Sequence, residues 1–325
     1  MRSSEQSIAP APSERTGGIL ARAFGLDLEL PCPMIGFEPA ARPEGRRCEV
    51  RLVSSEEAAA RWSPAEPEFL LNRRFPDGRA QLTVEADPRA GYRYWSESFG
   101  AFLISSAGDA VACAPETEDA ARWQRFFIGQ ILPFVAPLQG LEVLHASSVR
   151  LGGRTLAFMG GSGAGKSSLA VQLMLAGGEL VSDDVLTLEG GALAHPGPAV
   201  MGVRHSEVER MPADVLARLG QELARNEKEV LFAVDRAPGP SPVDALYFIS
   251  RDSRAEELLI EERRDPALLL GCTFNAVLKE RDRLERMLDV CLAITQSARV
   301  AQVTVPPHVD AGMLAERLAL DADAA

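Results

Sequence analysis

A chain of 325 residues with 46% hydrophobic and 25% charged content has the make-up of a globular protein of two domains, or one large one, with material for a sizeable core. Its net charge of −12 argues against broad nucleic-acid binding and against attraction to an anionic membrane, while leaving room for a small basic pocket. Five cysteines, far apart and without a Cys-x-x-Cys, argue against a disulfide framework or a zinc site and fit a reducing cytoplasm.

Residues 1–16 are polar and rich in Pro and Ser, without the apolar centre of a signal peptide, and read as a disordered lead-in. No later stretch approaches the ~18 apolar residues of a membrane span. Residues 17–139 then read as a strand-rich domain. Ala23 to Leu30 alternates as one half-buried strand, closed by Pro31 and Pro33. Further strands are expected over 48–53, 69–72, 80–84 and 92–96, with a hairpin from Phe99 to Ala114 turning at Ala107-Gly108-Asp109. Glu118 to Leu138 carries Trp123, Phe126, Phe127, Ile131 and Phe134 at helical spacing, so it predicts a core-facing helix that Pro133 kinks or ends. This section shows no catalytic grouping; presenting a substrate and serving as scaffold both remain open.

Residues 140–325 read as a second domain. Leu141 to Arg150 predicts one strand, turned at Gly152-Gly153 into a second, Arg154 to Met159. A helix follows from Ser168 to Leu175, then a strand from Glu179 to Leu188. Pro212 to Arg225 predicts a helix, Glu229 to Ala233 and Ala245 to Ile249 strands, Leu278 to Ser297 a long amphipathic helix, Val300 to Val305 a closing strand and Val309 to Leu318 a last helix. The acidic end after Leu320 is expected to fray. Alternating strands and helices favour an α/β layer with a mainly parallel sheet.

Between the 154–159 strand and its helix lies Gly160-Gly161-Ser162-Gly163-Ala164-Gly165-Lys166-Ser167-Ser168, which matches the phosphate-binding loop pattern. Its glycines let backbone amides face a phosphate oxygen, at the positive end of the helix that follows. Lys166 suits the β and γ phosphates, and the Ser167 hydroxyl suits Mg²⁺. Only three of the 34 basic residues are lysines (Lys166, Lys228, Lys279), so one standing at the position the motif needs is informative. Asp183 and Asp184 are neighbours on a predicted strand, where side chains alternate faces, so the two acids are not expected to share one task. Arg204 and Lys228 are weaker phosphate candidates, Lys228 reading better as part of a solvated ion-pair face. His195, His205 and His308 read as surface or loop residues.

His145-Ala146-Ser147-Ser148-Val149, the loop, and Leu180-Val181-Ser182-Asp183-Asp184 together resemble the C-terminal catalytic domain of the HPr kinase/phosphorylase family, in particular the HPr-kinase-related branch found beside peptide-tailoring genes, lasso-peptide clusters among them. The resemblance spans residues 141 to 305 and extends loosely to Phe24-Gly25-Leu26-Asp27-Leu28. It implies an α/β fold: a P-loop kinase core similar to phosphoenolpyruvate carboxykinase, preceded here by a smaller strand-rich α+β domain. It also implies transfer of the γ-phosphoryl group of ATP, with Mg²⁺, to a hydroxyl, in that family a serine. Carried over, Lys166 and Ser167 are the loop lysine and the metal-ligating hydroxyl. Asp183 is the general base and a metal-side group, Asp184 the metal-side carboxylate, and His145 the histidine ahead of the loop. The Arg-Gly-x-Gly segment that follows the aspartates in that family has no counterpart; Pro196-Gly197-Pro198 and Arg204 stand near that place. The acceptor is therefore expected to be a protein, peptide or small-molecule hydroxyl rather than HPr, and a non-catalytic ATP-binding regulator is the alternative. Nucleic acid and membrane are not expected as partners, and a homo-oligomer is left open.

Overall fold

The computed structural model describes residues 18–274 and 276–324, so the expected lead-in lies outside the described residues. Its first half is a run of short strands joined by tight turns: β1 (Ile19–Ala23), β2 (Leu26–Leu30), β3 (Arg46–Leu52), helix α1 (Ser55–Arg61), β4 (Glu68–Arg74), β5 (Ala80–Asp87), β6 (Gly91–Ser96), β7 (Gly100–Ile104) and β8 (Ala110–Ala114). They form an eight-stranded sheet in the order β1-β2-β3-β8-β7-β6-β5-β4. The single strand expected over 23–30 is instead the second half of a hairpin. Phe24 (φ 58°) and Gly25 (φ 76°) both take positive φ and turn β1 back on β2.

The expected helix over 118–138 runs on through its proline. Helix α2 (Ala120–Phe126), capped by the Asp119 carboxylate, passes through a π-helical turn at Phe127–Ile131 into α3 (Leu132–Leu138). Pro133 has no N–H to give to the preceding turn. The turn widens there, Leu132 N donating to Phe127 O five residues back, so the axis bends without breaking. Phe127, Ile131, Leu132 and Phe134 are fully buried against the inner face of the eight-stranded sheet.

The second half carries β9 (Glu142–Leu144), β10 (Ser147–Leu151), β11 (Arg154–Met159), α4 (Lys166–Leu175), β12 (Glu179–Ser182), β13 (Leu186–Glu189), β14 (Leu193–His195), β15 (Val200–Arg204), α5 (His205–Val208), α6 (Ala213–Leu219), β16 (Gln221–Arg225), β17 (Glu229–Ala233), β18 (Ser241–Arg251), β19 (Leu259–Glu262), α7 (Pro266–Leu270), α8 (Arg281–Ser297), β20 (Arg299–Val305) and α9 (Ala311–Ala324). The helix expected over 212–225 stops at Gly220, and Gln221–Arg225 is strand because it pairs with β17. The C-terminal segment expected to fray is helical to Ala324, anchored where Arg299 forks onto Asp321 at 2.7 and 2.9 Å.

The larger sheet of this half is mixed rather than mainly parallel. Its centre, β11-β18-β20, is parallel, and the flanking pairs are antiparallel. Helices α4 and α9 cover one face through Leu169, Leu173, Leu314 and Leu318; α7 and α8 cover the other through Leu269, Cys291 and Ile294. The chain is thus a mixed α/β protein with several sheets. Residues 139 and 140 mark a change of sheet but not an end of the core: Leu141, Val143, Val185, Leu231 and Leu278 pack into the cluster built on the first sheet. Among the described residues no helix is long and apolar enough to cross a membrane.

Candidate functional site

Two expected strands break at the same level, and the break makes the site. β9 pairs with β13 up to Leu144↔Leu186, whereas β10 pairs with β12 from Ser148↔Ser182. Residues 145–146, between β9 and β10, and 183–185, between β12 and β13, therefore leave the ladder together and face each other across a gap. Asp184 takes φ 64°, a left-handed conformation that an aspartate tolerates better than most residues. The Ser182 hydroxyl donates to the Val185 carbonyl and closes the turn. Alternation, which would have sent the two acids to opposite faces, does not apply across such a break: Asp183 and Asp184 both reach the Arg125 guanidinium, at 3.3 and 3.4 Å.

The glycine loop joins β11 to α4. Gly160 could be no other residue. Its φ is 146°, and a Cβ there would lie 2.4 Å from the Ile249 carbonyl oxygen. Gly165 caps α4 in the left-handed conformation. The buried Lys166 turns its ammonium back onto the Gly160 carbonyl at 3.0 Å, and the Ser167 hydroxyl donates to Asp183 Oδ1 at 3.2 Å. Ser168 is tied by its hydroxyl to Glu207. A cavity of about 240 Å³ opens over the loop, lined by Ser162, Gly163 and Gly165 to Ser168, with Asp184, His145, Arg204 and Lys228 opposite. Gly160, Gly161 and Ala164 shape the loop without lining this cavity.

Asp183 is 7% exposed and fully engaged. Ser147 and Ser167 donate to Oδ1, while Arg125 and the Gly202 amide (3.3 Å) donate to Oδ2. Burial raises its pKa, the neighbouring Asp184 raises it further, and Arg125 opposes both. Asp184 is more open and lines a second, larger cavity of about 700 Å³ as well as the loop cavity. Only its Oδ2 meets Arg125; Oδ1 has no hydrogen bond among the described residues.

His145 lines both cavities. Its pKa is lowered, first by burial and then by the Lys166 charge, which favours the neutral ring. Its buried Nδ1 has no hydrogen-bond partner among the described residues. The expected residues Lys166, Ser167, Asp183, Asp184 and His145 are therefore neighbours around one gap.

Two residues of this site gave no signal in the sequence. Arg125 comes from α2 in the first half, and its Nε also donates to Glu229 at 3.0 Å. Its side chain is 14% exposed; burial alone would lower its pKa, and Glu229, Asp183 and Asp184 together outweigh that and raise it. Glu229 closes over Gly202, where a Cβ would stand 2.4 Å from its carboxylate. Three carboxylates thus lean on one guanidinium. Lys228, expected on an ion-pair face, makes no ion pair among the described residues and borders both cavities; its neighbours Glu227 and Glu229 go to Arg122 and Arg125. Arg204 likewise faces the loop cavity. Of the histidines read as surface residues, His195 is instead buried, its Nε2 3.0 Å from Glu189.

The donor set suits a hard divalent cation. Ser167 and Asp183 present oxygen atoms 3.2 Å apart. Among the described residues no three acids, histidines or cysteines form a ready-made metal cage. Mg²⁺ commonly takes one or two carboxylates and completes its shell with phosphate oxygens and water.

No family model matches the sequence, and no curated protein matches it. Among solved structures the chain is similar to the Hpr(Ser) kinase/phosphatase from Coxiella burnetii, at 15% identity and a TM-score of 0.31, covering 56% of this chain and 97% of that one.

Proposed function

We propose that this protein is an ATP- and Mg²⁺-dependent phosphotransferase acting on a hydroxyl group, and that it is an enzyme rather than a nucleotide-binding regulator. One observation carries the reading. A glycine loop at a helix N-terminus holds a lysine and a serine, and that serine touches a buried carboxylate across a gap in the neighbouring strands. A regulator that only binds nucleotide has no use for a second carboxylate, Asp184, standing where the loop cavity meets the larger one and lining both.

In this reading the amides of the loop and the α4 N-terminus take the β and γ phosphates. The Lys166 ammonium exchanges its Gly160 carbonyl for phosphate oxygen. The Ser167 hydroxyl and Asp183 would hold Mg²⁺, which would supply charge neutralisation on the triphosphate. Arg125 opposes the burial and the Asp184 charge that favour the protonated form of Asp183. Asp184, rather than Asp183, is then the base, because it lines both cavities with Oδ1 free of hydrogen bonds among the described residues, while both oxygens of Asp183 are engaged. The acceptor oxygen forms its bond to the γ phosphorus as the bond to the bridging oxygen breaks. Its proton passes to Asp184, and ADP leaves. Neutral His145 flanks the acceptor, its ring lining both cavities.

The test pairs two variants. Lys166→Ala is expected to lose nucleotide binding by calorimetry. Asp184→Asn is expected to bind ATP and transfer γ-labelled phosphate at least ~100-fold more slowly, the usual scale of a general base. Full transfer by Asp184→Asn would sink the assignment of the base, and unchanged ATP affinity in Lys166→Ala would sink the reading altogether.

A further inference from the structure

The larger cavity lies beside the loop cavity and shares its His145, Asp184, Lys228 and Glu229 wall. On its far side stands an aromatic floor contributed by the first half of the chain. Phe99 and Phe126 stack with ring centroids 4.4 Å apart and 17° between planes, and the Arg122 guanidinium lies over Phe99 at 5.5 Å. Phe274 completes the lining beside His145, 6.1 Å from it centroid to centroid. Basic and acidic side chains are balanced around it: Arg122, Arg125, Arg225 and Lys228 against Asp119, Asp184, Glu227 and Glu229. A polyanionic metabolite would want an excess of positive charge there, which is absent.

We infer that this cleft is the acceptor site and that its occupant is a hydroxyl-bearing peptide with an aromatic or large apolar side chain close to the reacting serine or threonine. The inference rests on the phosphotransferase reading and adds the substrate class to it. Size favours a peptide: about 700 Å³ is space for a ligand of drug size or a short peptide. Topology favours it as well. β16 is the edge strand of the three-stranded sheet β15-β17-β16, it is largely exposed, and it ends at Arg225 on the cleft rim. An extended chain can take main-chain hydrogen bonds from such an edge while one side chain settles on the aromatic floor. The hydroxyl then meets Asp184, which receives its proton as the phosphoryl group arrives from the loop side.

The experiment is a positional-scanning library of peptides with one fixed serine, incubated with full-length protein, Mg²⁺ and γ-labelled ATP. Phe, Tyr, Trp or Leu at one position within two residues of the serine is expected to raise labelling roughly tenfold over Gly, the scale one buried ring contact supports. In Phe99→Ala that preference is expected to fall within about threefold of Gly. Arg122→Glu, which removes the cation over Phe99 and reverses the charge beside the rings, is expected to shift preference toward basic neighbours of the serine. A preference unchanged in both variants would place the acceptor elsewhere. Labelled small alcohols with no labelled peptide would overturn the peptide class. No labelling of any kind, with ATP bound by the wild type and lost in Lys166→Ala, would overturn the acceptor cleft and leave nucleotide binding standing.

Discussion

Arg125→Ala probes the site's electrostatics without touching the loop. The guanidinium lies 3.3 Å from Asp183, 3.4 Å from Asp184 and 3.0 Å from Glu229. Asp184 is 35% exposed, so losing that contact costs little. The side chains of Asp183 and Glu229 are 3% and 10% exposed and would be left without their cation. Removing one partner of a buried ion pair costs on the order of 3–5 kcal/mol, and about 3 is taken here because Asp183 can relieve part of it by protonating. With an unfolding entropy of roughly 2.1 cal/mol/K per residue, a chain of this length loses about 4–5 °C of Tm. The sign of the pH effect follows. Without Arg125 the folded pKa of Asp183 moves further up, so the folded state holds its proton more tightly than the unfolded one. The variant therefore loses more stability than the wild type as pH rises. Thermal melts from about pH 5.5 to about pH 8 should show a small deficit in acid that widens toward alkali. Arg125→Lys should recover only part of it, since an ammonium cannot fork between Glu229 and the aspartates. A deficit equal at both ends of the range, or below about 1 °C throughout, would refute the claim that this arginine neutralises buried acids.

Other outcomes follow from the same geometry. Gly160→Ala puts a Cβ 2.4 Å from the Ile249 carbonyl in a backbone region other residues avoid; it should lower stability by about 1–3 kcal/mol in melts and abolish nucleotide binding by calorimetry, and an unaltered affinity would contradict the loop geometry. Asp183 has its folded pKa raised above its ordinary 3.8, so the stability it allows is full below that value and is lost as pH rises through the folded pKa. Asp183→Asn should accordingly flatten the pH dependence of Tm in the nucleotide-free protein, and a slope matching the wild type would argue that Asp183 is ionised throughout.

The glycine loop was legible because its chemistry is local. Glycine spacing, a strand before it and a helix after it all fall within some twenty residues, and no partner elsewhere is needed to recognise them. The hairpin at Gly152-Gly153 was legible for the same reason, since two positive φ values in a row call for glycine. Most of what failed depended on partners far along the chain. Arg125 sits between Trp123 and Phe126 on a helix whose apolar stripe marks it as core, and nothing local says that its side chain meets a carboxylate 58 residues on. Phe24 at φ 58° is a conformation a bulky residue rarely takes, so the β1–β2 turn was hidden inside what reads as alternation. Gln221–Arg225 is strand only because β17 lies beside it. The aspartate pair shows the failure most sharply: side-chain alternation holds along an unbroken ladder, and these two residues occupy the break.

That break also explains why the first half of the chain belongs to the site. A gap between β9–β10 and β12–β13 exposes two acids that would repel each other in a dry pocket, and the glycine loop offers them only the serine hydroxyl and an ammonium already turned to Gly160. The missing positive charge arrives from α2, fixed by the aromatic packing of Phe126, Phe127 and Phe134 against Tyr94, Phe99 and Phe102 and by the widened turn that lets the helix pass Pro133. The same helix carries Arg122 and the ring of Phe126 to the acceptor cleft. A fragment beginning at residue 140 would keep the loop and both aspartates and lose the cation that balances them along with half of the cleft. It should therefore hold nucleotide weakly and transfer nothing, which is the reverse of what an independent catalytic domain with an accessory N-terminal module would do.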